Sequence, residues 1–172
     1  MRRLLLGGAT LAAALLLLAP LGAQGFVGGG VTLPSGDYNT YAKPGWMINA
    51  GITPWQSAND RAKLWAEGFF GSNSHDDVDG DKTTLYGGLG SLTYNLTEGG
   101  SAVPYLIGSV GYMVHKYSSD EFPDDEGSEG GLTFGGGAGL GLGKFYVEAR
   151  YFTASIEDAT TAFILVAAGI TF

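Results

Sequence analysis

The sequence contains no cysteine. Disulfides are therefore excluded in any compartment, and so are metal centres built on thiolates. Basic residues are scarce: nine Lys and Arg stand against seventeen Asp and Glu, for a formal net charge of −8. That sign disfavours nucleic acid, whose phosphates are bound by Lys and Arg. Only two histidines occur, His75 and His115, and no Gly-x-Ser-x-Gly nucleophile motif is present. Beyond residue 25 no stretch is apolar over the roughly 20 residues that a spanning helix needs. This leaves crossing by β-strands open, since each of those needs only about 9–11 tilted residues.

The one long apolar run lies at the N-terminus. Arg2 and Arg3 precede LLLGGATLAAALLLLA, Pro20 breaks the run, and Gly22, Ala23 and Gly25 follow. A basic start, an apolar centre and small residues at the end describe a secretory signal peptide. Residues 1–23 are expected to be that signal, cleaved between 23 and 26, with residues 24–172 forming one domain. Removing two arginines takes the formal charge of the remainder from −8 to −10.

Glycine is abundant instead, with 30 residues and no collagen period. Together with Tyr, Phe, Val, Thr and Leu it favours strands with close backbone approaches. Period-two segments bounded by turn residues predict eight strands, near 26–33, 45–54, 62–71, 83–95, 102–115, 131–142, 144–154 and 162–172. In the last, Ala162, Ile164, Val166, Ala168, Ile170 and Phe172 share one face. In 131–142 an inner track of Gly131, Thr133, Gly135, Gly137, Gly139 and Gly141 backs a face of Leu132, Phe134, Ala138, Leu140 and Leu142.

The placement of charge selects the architecture. Within the predicted strands, charge falls only on one face, at Lys63, Glu67, Glu148 and Arg150. An Arg or Lys against lipid near the bilayer midplane costs about 2–4 kcal/mol. The pattern therefore predicts an all-β, eight-stranded, antiparallel, up-and-down transmembrane barrel with an apolar outside. A barrel of eight strands has a bore that side chains fill. Lys63, Glu67, Glu148 and Arg150 are expected to form a polar network in that lumen. Tyr146, Arg150 and Phe152 are expected to fill the room beside the glycine track.

Connections alternate in the same sense. Segments 34–44, 72–82, 116–130 and 155–161 are long and polar, and those between them are shorter or simpler. Thirteen of the seventeen acidic residues lie in or beside these four segments, opposed only by Lys43, Lys82 and Lys116, which leaves one end near −10. Aromatic residues mark two belts: Trp46, Tyr86, Tyr112, Phe134 and Tyr151 toward the acidic end, and Tyr94, Phe145 and Phe172 toward the other. At about 3.3 Å per residue and a tilt near 40°, Tyr86 and Tyr94 stand roughly 20 Å apart along the membrane normal.

Carried by these eight segments and by the C-terminal AFILVAAGITF, the chain resembles the OmpA/OmpX-type outer-membrane barrels. GGLGSLTYNL, PYLIGSVGYMVH, GGGAGLGLG and FYVEARYF are also similar. The resemblance implies the outer membrane of a Gram-negative cell, contact with its lipids and lipopolysaccharide, and a monomer. It also implies that Ile164, Val166, Ala168, Ile170 and Phe172 form the signal read by the barrel-assembly machinery. Ile170 departs from the pattern, which has an aromatic residue at the third position from the end. No cofactor and no catalysis are implied. The acidic loops are expected to act in envelope structure, adhesion or surface ligand contact.

Two other readings compete with that one. An outer-membrane lipid-modifying enzyme would need His115 and a serine to meet at the outer rim, and the run His115 to Asp120 supplies Ser118 and Ser119 nearby. A secreted soluble barrel binding a small apolar ligand would need the even face of 162–172 to be its core. DDVDGD offers Asp77, Asp79 and Asp81 as weak calcium ligands, but Lys82 stands where the EF-hand pattern wants glycine. The glycine run ending Gly143-Lys144 lacks the Ser or Thr of a phosphate loop, because Phe145 follows.

Overall fold

A computed structural model describes residues 24–75, 81–118, 127–156 and 159–172. The predicted signal segment 1–23 and most of the acidic loop residues lie outside them. Eight strands form one closed barrel in sequence order: β1 (Gln24–Ser35), β2 (Gly45–Gln56), β3 (Ala62–Ser74), β4 (Lys82–Asn95), β5 (Val103–Ser118), β6 (Gly127–Leu142), β7 (Phe145–Ile156) and β8 (Ala159–Thr171). Every neighbouring pair is antiparallel, and β1 closes on β8 with Val31 opposite Val166. Gly25 N–H donates to Phe172 O at 2.8 Å, and Phe172 N–H donates back to Gly25 O at 2.9 Å.

The strands run past several expected ends. β5 and β6 each span 16 residues, so 116–118 and 127–130 of the segment expected as a loop belong to strands. Sixteen residues at about 3.3 Å and a 40° tilt rise roughly 40 Å, well beyond an apolar band of about 25 Å. Above that band alternation of apolar and polar residues has no physical cause, so Lys116 and Glu129 fall within strands. The segment 34–44 also differs from a plain loop. Gly36, at φ +60°, opens a 3-10 turn over Gly36–Thr40, and the Thr40 hydroxyl donates to Asp37 O at 2.7 Å.

Two connections show why the sequence turns where it does. Leu142 pairs with Phe145, leaving the two-residue loop Gly143-Lys144 with Gly143 at φ +65°. Glycine at the first loop position is the requirement of a type II′ hairpin turn. In β2 the register slips between Ile52 and Trp55, where Pro54 sits. Proline has no N–H for a ladder and is confined to such bulges or to edges.

The wall is apolar outside. Trp46, Tyr86, Tyr112, Phe134 and Tyr151 project outward toward one end, and Tyr94, Phe145 and Phe172 toward the other. Phe70 and Trp55 join them on the outer wall, with Phe70 5.8 Å from Trp46. Ile164, Val166, Ile170 and Phe172 are exposed, which overturns the reading of that face as a ligand-binding core. Ala162, expected on the same outer face, is instead buried where the 3-10 turn packs against the end of β8.

Inside, three layers fill the bore. At the end near the chain termini lie Phe26, Trp65, Tyr105, Ile107 and Tyr146. Toward the other end lies an apolar layer that includes Met47, Phe69, Leu85, Met113, Phe152 and Phe163. A polar layer separates them, because Glu67 stands between Trp65 and Phe69 on β3, and Arg150 precedes Phe152 on β7.

Candidate functional site

The polar layer is a buried ion triad. Arg150 holds Glu67 with both terminal nitrogens, Nη1 to Oε1 at 2.5 Å and Nη2 to Oε2 at 3.1 Å. The same Nη2 lies 2.7 Å from Glu148 Oε1. Two carboxylates thus share one guanidinium, and neutral donors reach three of their four oxygens. Asn49 Nδ2 donates to Glu67 Oε2 at 2.9 Å, Ser91 Oγ to Glu67 Oε1 at 2.8 Å, and Tyr105 OH to Glu148 Oε2 at 2.9 Å. Ser109 Oγ extends the chain of hydroxyls, 2.8 Å from Ser91 Oγ. All three charged side chains are at most 1% exposed.

Lys63 does not belong to this triad. It lies four residues from Glu67 along an extended strand, about 13 Å toward the end that holds the termini. Parity put it on the inner face but could not give its height. Rings from two strands fill the room beside the glycine track of β6. Phe152 lies over Gly135 and Tyr105 over Gly139, while Tyr146 turns toward Gly28 and Gly169. Gly169 is the β8 partner of Tyr146 in register, so the ring finds room there and not at β6. Sequence reading missed Asn49, Ser91, Ser109 and Tyr105 as partners. Their signal was inward parity at the height of Glu67, visible only once the register was known.

Above the apolar layer the barrel opens into a polar mouth. Inward positions at the ends of β4, β5, β6 and β8 supply Thr83, His115, Tyr117, Glu129 and Thr161, with His75 just beyond β3. The chain after the 3-10 turn adds Tyr41. Together they line a cavity of about 200 Å³. His75 Nε2 is 2.7 Å from Thr83 Oγ1, and His115 Nδ1 is 3.4 Å from Thr161 Oγ1. Tyr117 OH donates to Asp81 Oδ2 at 2.5 Å. Tyr38 is buried, its ring 6.1 Å from His115 and 5.5 Å from Tyr41. Burial pushes the Tyr38 phenol well above its usual range, and burial together with the Asp37 charge raises Tyr41.

The calcium candidates separate here. Asp81 is engaged by Tyr117, and Asp77 and Asp79 lie outside the described residues. Among the described residues no group of three His, Cys, Asp or Glu is arranged to hold a metal. In the run near His115, Ser119 and Asp120 lie outside them too, and the side-chain partner of His115 is a threonine.

At the opposite end a hollow of about 370 Å³ lies between the turns near 57–61 and 96–102. Its side chains are already tied together. Gln56 donates to Asp60, Asn95 Nδ2 donates to Asp60 O at 2.8 Å, and Arg61 pairs with Glu98 at 3.3 Å. Arg61 also lies over the Tyr94 ring at 5.4 Å.

The chain has the fold of solved outer-membrane barrels of the OmpA/OmpX type. It is similar to neisserial surface protein A, with a TM-score of 0.60, 12% identity, and 88% of this chain covering 97% of that one. It is similar to Ail, the attachment invasion locus protein of Yersinia pestis, with a TM-score of 0.55, 14% identity, and coverage of 87% and 99%. The N-terminal β-barrel domain of Pseudomonas aeruginosa OprF gives a TM-score of 0.51, 16% identity, and coverage of 87% and 97%. No protein-family profile and no curated protein matches the sequence.

Proposed function

We propose that the chain is a non-enzymatic outer-membrane barrel that acts through its extracellular end. The observation that carries this is the inverted distribution of polarity. The large apolar side chains of β1 to β8 ring the outside, and the ion triad is sealed within. Water would strip such a wall of its advantage, whereas lipid accepts it. The two sets of outward aromatics then sit at the two interfaces, and the ends with the long acidic connections face away from the cell. Neighbours of the same fold, among them a surface protein and an attachment invasion locus protein, support the kind of role: envelope structure, adhesion or surface ligand contact.

The filled bore supports a scaffold and not a conduit. Residues 1–23 act as the export signal, and the alternating residues Ile164 to Phe172 serve as the address for barrel assembly. Lipids and lipopolysaccharide surround the wall, and the barrel works as a monomer. Expression with residues 1–23 intact, outer-membrane fractionation, and gel mobility before and after boiling test this. A protein in that fraction whose mobility shifts on boiling is expected. A detergent-independent soluble protein with no shift would sink the proposal.

A further inference from the structure

The mouth combines three properties. Aromatic faces line it, from Tyr41, His75, His115 and Tyr117. A carboxylate, Glu129, borders it directly, and the Asp81 carboxylate lies behind Tyr117. Among the described residues no lysine or arginine lines it. We infer that this mouth is a binding site for a small organic ammonium group of about trimethylammonium size, with Tyr41 and Tyr117 as ring walls and Glu129 as counter-ion. The inference rests on the reading above for the direction in which the mouth faces.

The chemistry selects the ligand class. An aromatic face carries negative charge density and attracts a cation, and alkylated ammonium adds apolar surface for the same rings. A hard metal ion would instead ask for several converging oxygens, and no such group is present among the described residues. A neutral apolar molecule would gain nothing from Glu129 and would cover its carboxylate. An anion would meet that carboxylate and the Asp81 carboxylate near it.

Size and rigidity agree with this choice. The cavity, about 200 Å³, is below the ~300 Å³ at which pockets begin to enclose a drug-sized ligand. It suits a single headgroup-sized fragment. The rings are held before any ligand arrives. His75 lies 5.4 Å from Tyr41 at 65° and 5.4 Å from Tyr117 at 37°, and Thr83 fixes its Nε2. Walls ordered in advance lower the cost of binding. The carboxylates of Asp37, Asp81 and Glu129 at this end raise the local concentration of any cation. The lining strand residues all have inward parity, so the cavity opens along the barrel axis and its ligand comes from solution, not from the lipid around the wall.

The test uses the folded barrel in phosphatidylglycerol nanodiscs, which carry no choline. Choline chloride and its uncharged isostere 3,3-dimethylbutan-1-ol are titrated, with sodium chloride as the ionic-strength control and ring-proton NMR shifts as readout. Choline should bind saturably, at least about tenfold more tightly than the isostere. Glu129→Gln and Tyr41→Leu should each weaken choline by about three- to tenfold and leave the isostere unchanged. Equal binding of choline and isostere would overturn the inference. So would a choline response no larger than that of sodium chloride, or choline binding indifferent to both substitutions. The boiling shift on gels checks that each variant is folded. Glu129→Gln, at an exposed strand end, carries the test if Tyr41→Leu is not. A barrel that shifts on boiling but fails to discriminate choline overturns this site and leaves the outer-membrane reading standing.

Discussion

Arg150 on β7 grips Glu67 on β3 across the bore with two parallel contacts, although 83 residues separate them in the chain. Removing one partner of a buried pair leaves the other charge without compensation, which typically costs 3–5 kcal/mol. Arg150→Ala should therefore destabilise the barrel by about 3–5 kcal/mol, and by more than the double variant Arg150→Met with Glu67→Gln. Urea unfolding in lipid, followed by tryptophan emission, measures both. An Arg150→Ala barrel as stable as the parent would show that the triad contributes nothing.

Two glycines of one strand separate the inner wall from the outer. A side chain at Gly139 would run into the Tyr105 ring, whereas at Gly136 it would meet only Ile107 O at 3.9 Å. Overfilling a packed interior typically costs 1–3 kcal/mol. Gly139→Val should lower unfolding stability by about that amount, and Gly136→Val should be neutral or mildly stabilising. The same unfolding assay ranks them, and the opposite order would reverse the assignment of faces in β6.

Outward charge provides a depth gauge. Val110 is exposed at mid-strand, and Val114 lies four residues nearer the outer rim on the same face. Arginine at the bilayer midplane costs about 2–4 kcal/mol and close to 0–1 near an interface. Val110→Arg should therefore cost clearly more than Val114→Arg in lipid. Equal and small costs at both positions would mean that this face does not meet hydrocarbon.

Parity explains why so much of the barrel was legible in the sequence. Glu67 decides the inner face of β3, and Trp65, Phe69 and Phe70 then fall into place without further information. The even face of β8 reads as lipid-facing for the same reason. What parity lacks is height. Lys63 and Glu67 have the same parity, yet only Glu67 meets Arg150, because cross-bore partners are set by the stagger of all eight strands. Tyr38 was invisible for another cause. Its burial comes from β8, from His115 on β5 and from the barrel rim, none of them near it in sequence. The polar extensions of β5 and β6 carry no alternation, since neither face there meets lipid.

The mouth should respond to alkali through Tyr38. Burial raises its phenol above the usual value of about 10, so the folded state holds that proton more tightly than the unfolded chain. The stability supplied by the docked ring is full below about pH 10 and is lost as pH rises toward the folded-state value. A difference titration of phenolate absorbance between the parent and Tyr38→Phe should show one tyrosine titrating above pH 10 in the folded barrel. A Tyr38 contribution centred at or below pH 10 would contradict its burial.

The seam between β1 and β8 has a temporal consequence. Every other strand can pair with a neighbour that has already emerged, but Val31 must wait for Val166 and Gly25 for Phe172. Until the last strand arrives, β1 offers an unpaired ladder, and unpaired ladders recruit stray strands. The entropic cost of so long a closure is modest, since each doubling of loop length adds only about 0.6 kcal/mol. The hazard is one of waiting time. A chain built in this way gains most from an escort that shields its first strand until its last is delivered.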